Sequence, residues 1–456
     1  MKSDIIIIGG GASGLMAAYG AAKRIVEREI VAQVTVLEKM PRPARKIMIT
    51  GKGRCNFTNL KQWNEFSGHI RSKCDFVKPA FYNLTPEKTI AFFEEYGMHS
   101  CVERGDRAFP ESYHASDVVD TLINACLSLG VKIETECEVT GIECKTGGFA
   151  LECADGRKYA CNKLIIATGG LSYPTTGSTG DGYRWAEETG HEIVPCFPSL
   201  TALVPVWYKA DPVVSVNGRF HIDRSTPMSE TGNMLCGIQL KNVAATLMVQ
   251  GNVADSGMGD IDFTDGGVEG AIGFQLSRKA VKSLINGSKV ALVLDLKPAV
   301  SMTELVTRIK ALWDEICHDP RSNRLREKER CRVLLGKLLP RELIPGFLAC
   351  HPEVITIEHR GRTQTKVWVN LVDIAKALKS WRMEIAGYVG YERCVVTAGG
   401  VSTTAVLPKT MESRVCKGLY FSGEVLDIDS DTGGYNLQTA FSTGLLAGQS
   451  AASALK

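Results

Sequence analysis

The spacing of apolar positions changes its period along the chain, and each change marks an element. Residues 4–8 hold four consecutive isoleucines, Ile5 to Ile8, as in a strand buried on both faces. A glycine-rich turn covers residues 9–14, residues 15–26 have helical composition, and residues 31–37 form a second strand ending at Glu38. The pattern predicts one β-α-β unit. Further on, Thr85 can cap a helix with Pro86 at its first position and Gly97 beyond its end. Ser116 is expected to cap the next helix, closed by Gly130. Residues 131–167 then read as short strands with turns at Gly147-Gly148 and Asp155-Gly156, and the last strand, 163–167, runs into Thr168-Gly169-Gly170.

Near Pro195 the character shifts again. Pro195, Pro198, Pro205 and Pro212 punctuate short apolar runs, and Asn217-Gly218 is a hairpin signal. Residues 192–298 are therefore expected to be all β. Ser301 and Glu304 form a capping box for a helix, and residues 323–339 read as a second helix. Strand character returns at 354–357 and 365–371, and the tail from Arg393 is rich in glycine and short apolar runs. The coarse picture is a split α/β domain with a β piece and a helical piece inserted in its middle.

Composition narrows the function class. The chain has 456 residues, enough for two or three domains. A net charge of +3, from 53 basic and 50 acidic residues, gives no reason to expect a polyanionic partner or membrane. The helix carrying Arg324, Arg326, Lys328, Arg330 and Arg332 interleaves Glu327 and Glu329, as solvated helix surfaces do; no nucleic-acid partner is expected. No apolar stretch approaches the roughly eighteen residues of a membrane helix, and Ile5–Ile8 is too short for a signal-peptide core, so the expected location is the cytoplasm. The fifteen cysteines include no C-x-x-C pair and no metal-type cluster. Cys137, Cys144, Cys153 and Cys161 are read as small apolar fillers, and no metal is expected.

Gly9-Gly10-Gly11-Ala12-Ser13-Gly14 is a G-x-G-x-x-G between strand and helix. Gly9 permits the tight turn, Gly11 lets backbone approach a pyrophosphate, and Gly14 lets helix pack on strand. Phosphates then sit at the helix N-terminus, and Glu38 can accept hydrogen bonds from ribose hydroxyls. A second set lies at the other end: a strand running into Gly423-Glu424, then Gly433-Gly434-Tyr435-Asn436-Leu437 opening a helix. An acid there suits a ribityl chain, and the helix N-terminus suits an anionic reduced flavin. Both ends together point to FAD. The segment from Arg45 to Asn59, with Lys46, Thr50, Gly51, Gly53, Arg54, Cys55 and Asn56, suits a loop wrapping a phosphate-bearing cofactor. A dithiol–disulfide role for Cys55 would need a partner, and the next cysteine is Cys74; space filling beside the flavin is the expectation. No H-E-x-x-H, G-x-S-x-G or P-loop pattern is present.

On the segments IIIIGGGASGLMAA, RKIMITGKGRCNFTN, ATGGLSYPTTGSTGDG, VVTAGGVSTTAVLPKTMESRVCKGLYFSGEVLD and TGGYNLQTAFSTGLLAG, the chain resembles the bacterial YhiN-like flavoproteins. That family includes aminoacetone-oxidase-like enzymes and BaiN-type bile-acid-pathway reductases. The resemblance implies a split Rossmann-type, glutathione-reductase-like FAD domain (residues 1–191 and 386–456), an inserted β-barrel-like domain (192–298 and 352–385) and a small helical insertion (299–351). It implies FAD contacts at Ser13, Glu38, Lys46, Thr50, Gly51, Arg54, Asn56, Val139, Thr168, Gly169, Glu424, Asn436 and Leu437. The adjoining Ala12, Lys39, Gly170, Gly423, Gly434 and Tyr435 complete the candidate set. One departure stands out. Many relatives carry a histidine, a serine and a proline in a segment reading like FTHFGISGPA, whereas Phe263 to Ala271 here reads FTDGGVEGA, so Asp265 and Glu269 alter the charge of that loop.

No second G-x-G-x-x-G unit offers a nicotinamide domain, so NAD(P)H is expected only as a transient donor. The leading reading is reduction of an activated C=C bond, as in a 3-oxo-Δ4 or Δ4,6 steroid or bile acid, by hydride from flavin N5. Tyr435, Arg54 and Asp265 are the candidate proton donors. An amine oxidase passing electrons to oxygen is the rival enzyme, and a flavin-carrying accessory protein of RNA modification is the rival class. A small-molecule substrate is expected, with monomer and homodimer both open.

Overall fold

The computed structural model describes residues 1–210, 220–360 and 364–455. It divides into two compact units, residues 1–199 with 394–456 and residues 200–393. Pro212 and the Asn217-Gly218 turn lie outside the described residues.

The first unit is organised by a seven-stranded sheet. Its path runs Lys132–Glu134, Val34–Leu37, Lys2–Ile8, Lys158–Ile166, Gly148–Cys153 and Val139–Lys145, with Leu419–Phe421 pairing alongside Lys158–Ile166. The isoleucine run sits at its centre, and Ile5, Ile6 and Ile7 are fully buried. Strand register aligns both ends of the chain. Ile8 pairs with Leu37 and with Ile166, and Ile166 pairs with Phe421, all parallel. These strands therefore finish side by side, and the loops that leave them, at Gly9, Ala167 and Ser422, share one sheet edge. In parallel sheets this carboxyl edge is where ligands bind.

The helices Ala12–Glu27 and Tyr435–Ser453 pack at unusually close range. A Cβ on Gly444 would fall 2.3 Å from the Ser13 carbonyl oxygen, and one on Gly448 would fall 1.9 Å from that of Ala17. Contacts advance in the same direction along both helices, so they run parallel. Ser13 is the second residue of its helix and Gly444 the tenth of its own. The C-terminal helix therefore reaches about 12 Å further at its N-terminus, at roughly 1.5 Å per residue.

The second unit contains a closed antiparallel barrel in the order Leu203–Pro205, Gly267–Glu269, Asn252–Thr264, Gln239–Val249, Val290–Asp295 and Trp381–Tyr388. The buried barrel residue Trp381 packs against Phe263 in a tilted contact at 5.7 Å and against Phe347, from the helix Ile344–Cys350, edge-on at 5.6 Å. Residues 299–351 belong to the same compact unit and carry the helices Met302–His318, Glu327–Gly336 and Ile344–Cys350. The capping box at Ser301 and Glu304 is formed in both directions.

Several expected elements are corrected. The stretch 192–298 is not all β: Glu230–Leu235 and Ala271–Ile285 are helices. Ile272, Leu276, Ala280 and Leu284 repeat at four-residue spacing and bury one face. Leu371 opens the helix Leu371–Lys379 rather than ending a strand, since Ile374, Ala375 and Leu378 share a buried face. The helix expected from residue 323 starts at Glu327. Ser116 is not a cap: the helix is Ala115–Ser128, preceded by His114, and the Ser116 hydroxyl donates to Asp117 Oδ1. The second strand begins at Val34, and Val31 is exposed. Cys144 is exposed rather than a filler, its Sγ lying 3.4 Å from that of Cys416. Cys137, Cys153 and Cys161 are buried. Among the described residues no helix is long and apolar enough to cross a membrane, and no three or more His, Cys, Asp or Glu side chains gather as metal ligands would.

This packing makes stability testable at two places. Gly448→Val forces a side chain onto the Ala17 carbonyl and costs ~3 kcal/mol or more, whereas Gly141→Ala, which meets nothing within 4 Å, stays within about 0.5 kcal/mol; chemical denaturation of the two variants measures the contrast. The second place is His191, whose Nδ1–H donates to the Ala186 carbonyl and whose Nε2 lies 2.7 Å from Ser413 Oγ. Burial holds the imidazole below its ordinary range, against the opposing Ala186 bond. Unfolding then takes up a proton below the unfolded pKa of about 6.5, so His191 stabilises the fold above that pH and the contribution fades as pH falls toward its folded pKa. His191→Gln is expected to flatten the fall in unfolding free energy between pH 7 and pH 5.

Candidate functional site

The site is built at the shared carboxyl edge of the first unit. Gly9 adopts φ +100°, and a Cβ there would lie 2.6 Å from the Ala167 carbonyl oxygen; one on Gly14 would fall 1.9 Å from that of Gly9. These two glycines are required by packing. Gly11 differs, because a Cβ there would meet nothing within 4 Å. It faces open space at the start of Ala12–Glu27, a helix with neither a side-chain cap nor an acidic residue in its first turn. The first-turn N–H groups and the helix dipole are left for an anion.

Glu38 closes one side. Its Oε2 accepts from Gly10 N at 2.7 Å and its Oε1 from Met40 N at 2.8 Å. Burial pushes the carboxyl up from its ordinary range, and the two backbone bonds oppose that rise. Each oxygen retains a lone pair for a hydroxyl donor. Lys39 donates to Asp181 Oδ2 at 2.8 Å and to the Thr179 hydroxyl. Val139 is buried at the start of its strand.

Glu424 ties the loops together. Its Oε2 accepts from Lys46 Nζ at 2.7 Å, and its Oε1 from Ser172 Oγ at 2.6 Å and Thr397 N at 2.7 Å. Lys46 also donates to the Ser172 hydroxyl. This carboxylate therefore joins the segments around residues 46, 172, 397 and 424. Sequence reasoning gave Ser172 and Thr397 no role, although both lie in the segments that carry the resemblance. Gly170 is placed by the same contact, since a Cβ there would lie 2.4 Å from Thr397 Oγ1. Gly423, at φ +74°, would set a Cβ 2.4 Å from Ser13 Oγ, and its N–H donates to Thr443 Oγ1 at 3.0 Å.

The loop at residues 50–55 turns through left-handed backbone at Gly51, Lys52, Gly53 and Cys55. The Thr50 hydroxyl donates to the Ile47 carbonyl at 2.7 Å. The Cys55 thiol is fully buried and pushed by burial up to about 12, which keeps it protonated and unfit for disulfide exchange. Arg54 lies with its guanidinium 5.1 Å from the Phe109 ring centroid and 3.6 Å from Glu103 Oε1. At the second helix start, Gly434 has φ +94° and would set a Cβ 2.4 Å from the Thr58 carbonyl and 2.9 Å from Asn56 Oδ1. Tyr435–Ser453 again has no side-chain cap and no acid in its first turn. Asn436 Nδ2 donates to the carbonyls of Ser430 and Asp431, and its Oδ1 accepts from Ser430 N. Leu437 is half-buried.

The Tyr435 ring is buried, stacks on His69 with centroids 4.2 Å apart, and meets Phe66 edge-on at 5.0 Å. Burial raises its hydroxyl pKa. Asp431, which the sequence reading missed, accepts from Arg71 Nε at 2.7 Å and Arg71 Nη2, and lies 3.0 Å from His69 Nδ1. Single charged residues in loops leave no periodic signal that would have found them.

Asp265 lies in the second unit. Its carboxylate accepts from Arg224 Nε at 2.9 Å and Nη2 at 2.8 Å, and pairs with Arg393 Nη1 at 2.9 Å. Arg393 also donates to Glu269 Oε1 at 2.6 Å. Burial would raise the Asp265 carboxyl, but the Arg224 hydrogen bonds and both guanidinium charges leave it lowered. The two acids that depart from relatives are therefore charge-paired within their own unit, and Asp265 is poorly suited to donate a proton.

The geometry fits an FAD. Two uncapped helix N-termini point the same way, about 12 Å apart along their axes, as a pyrophosphate and a flavin ring joined by a ribityl chain require. Around them Thr168 Oγ1, Asn56 Oδ1, Ser422 Oγ and Thr439 Oγ1 are buried without hydrogen-bond partners, and buried polar atoms are rarely left so.

The chain matches the family described as the HI0933-like protein Rossmann domain over residues 3–450. It is 30% identical over 446 residues to the 3-dehydro-bile acid delta(4,6)-reductase of Clostridium scindens, covering 98% of each chain. It is also 30% identical to the ribosomal RNA dihydrouridine synthase of Haemophilus influenzae and 28% identical to that of Escherichia coli, covering 97% of this chain and 96% of each relative.

The open space at Gly11 yields a test that separates binding from folding. Gly11→Val is expected to melt within about 2 °C of the wild-type apoprotein, given the small effect of substitutions away from packed features. FAD affinity, measured by fluorescence quenching, is expected to fall at least about 100-fold, since the side chain fills the pyrophosphate approach.

Proposed function

The chain belongs to the HI0933-like family, and from that premise we propose that it is an FAD-dependent oxidoreductase that uses NAD(P)H to reduce a C=C bond conjugated to a carbonyl. The observation that carries this reading is the shared sheet edge, where loops from both ends of the chain meet two uncapped, offset helix N-termini. Gly9, Gly11, Ala12, Ser13 and Gly14 take the pyrophosphate, Glu38 and Lys39 the adenosine ribose, and Val139 lines the adenine side. Lys46, Thr50, Gly51, Gly53, Arg54, Cys55 and Asn56 wrap the flavin half, and Thr168, Gly169, Gly170, Gly423 and Glu424 flank the ribityl chain. Gly434, Tyr435, Asn436 and Leu437 present the second helix N-terminus to the pyrimidine ring. When bound, FAD supplies the hydride chemistry; the protein supplies orientation and charge.

The named relatives support one reaction type on two kinds of substrate. A bile-acid Δ4,6-reductase saturates a dienone, and dihydrouridine differs from uridine by saturation of a ring double bond conjugated to a carbonyl. Both need a hydride at the β-carbon and a proton at the α-carbon. We favour a small-molecule enone. The mixed charges of the helix Glu327–Gly336 support that choice: Arg330 pairs with Glu327 at 3.4 Å and Arg326 with Glu329 at 4.0 Å, so opposite charges partly offset one another along it. A uracil in ribosomal RNA is the second reading, supported by the two synthases at comparable identity.

Anaerobic stopped-flow mixing tests the proposal. NADPH is expected to bleach the flavin, and androsta-4,6-diene-3,17-dione is expected to restore its colour. Bleaching by a primary amine but not by NADPH would replace the proposal with an amine oxidase. Restoration by an unmodified ribosomal RNA transcript and not by the dienone would select the second reading.

A further inference from the structure

Saturating a conjugated C=C bond needs a proton donor, and the groups first suited to that role are engaged elsewhere. Asp265 is paired to two arginines, and Arg54 lies beside Phe109 and Glu103. Glu424 holds the loops together, and Tyr435 is buried under His69. His69 is different. Backbone bonds from Asp431 N to the His69 carbonyl, at 2.9 Å, and from Arg71 N to the Asp429 carbonyl, at 2.8 Å, clamp residues 69–71 against residues 429–431. That places the imidazole on the first residue of the C-terminal helix, stacked within 17° of parallel on the Tyr435 ring. The ring is about one-third exposed, while Asp431 is 8% exposed.

The Asp431 carboxylate is an acceptor only. It draws the Nδ1–H of His69 at 3.0 Å and two donors of Arg71. This fixes the ring and its tautomer, leaving Nε2 to exchange a proton, as a carboxylate does for a catalytic histidine. The charged neighbours of Tyr435 on the adjoining segments are Glu65 and Asp106, both paired with Lys61. A clamp alone would need only Arg71. The added imidazole supplies a proton carrier beside the helix end where the flavin pyrimidine is placed. Next to it Ser430, 1% exposed, holds a hydroxyl without a partner.

We propose that His69, oriented by Asp431, gives the proton to the α-carbon of the substrate; this rests on the reductase reading above. The balance is closed. NAD(P)H leaves as NAD(P)+, its hydride pair forms the new C–H bond at the β-carbon, and the π pair of the double bond takes the proton from His69 Nε2. The imidazolium becomes neutral imidazole and is reprotonated by solvent. Asp431 is a positioning residue.

The test uses the full chain with FAD, NADPH and androsta-4,6-diene-3,17-dione. His69→Asn keeps a donor toward Asp431 but loses the proton carrier. Reduction by NADPH is expected to stay within about twofold, and reoxidation by the dienone to slow about 100-fold, the usual scale for a lost general acid. His69→Ala is expected to lose the same step and regain part of it in added imidazole, with no matching gain in melting temperature, which a purely structural role would not produce. In the apoprotein, 15N-histidine spectra are expected to show His69 protonated on Nδ1, a preference lost in Asp431→Asn. Wild-type rates of reoxidation in both His69 variants would overturn the assignment alone. A wild-type protein that NADPH does not bleach, or the dienone does not reoxidise, would overturn the reductase reading and this assignment with it.

Discussion

The close parallel packing of the first and last helices is the constraint on which the site depends. Only glycine at 444 and 448 lets the backbones approach to where a single carbon would collide with the Ser13 and Ala17 carbonyls. That contact fixes the offset of the two N-termini. A looser pairing with larger residues would keep both helices and lose the spacing between their positive ends. The strand Leu419–Phe421, paired in register with Lys158–Ile166, makes the same connection through the sheet. Two segments more than four hundred residues apart thus behave as one element.

Charge is arranged to hold loops rather than to fill the site. Glu424 takes bonds from Lys46, Ser172 and Thr397, and Asp431 takes bonds from Arg71 and His69. Each is a carboxylate with its partners close by, the condition under which a partly buried charge is tolerated. Around these loops the buried atoms left without partners are neutral ones: the hydroxyls of Thr168, Ser422, Ser430 and Thr439 and the amide oxygen of Asn56.

Much of the first unit was legible because its signals are local. The isoleucine run, the glycine turn and the acid at the end of the second strand lie within forty residues, and each has one geometric reading. The capping box at Ser301 and the cap at Thr85 were legible for the same reason. Ser116 misled because a serine before an apolar run resembles a cap, while the cap position falls two residues earlier, at His114. The helix Ala271–Ile285 was hidden behind strand-like neighbours, although its four-residue apolar spacing was present. Ser172 and Thr397 lay within quoted segments but without a role, and His69 and Asp431 were not legible at all. Their placement depends on long-range register and loop closure, which no local pattern encodes.

Equilibrium dialysis of the full-length apoprotein against FAD and NADP+ tests the central claim most directly, since it asks which dinucleotide the joined ends of the chain were built to hold. Retention of FAD in equimolar amount, undisplaced by excess NADP+, is the predicted result. Stoichiometric retention of NADP+ with no retained FAD would contradict it.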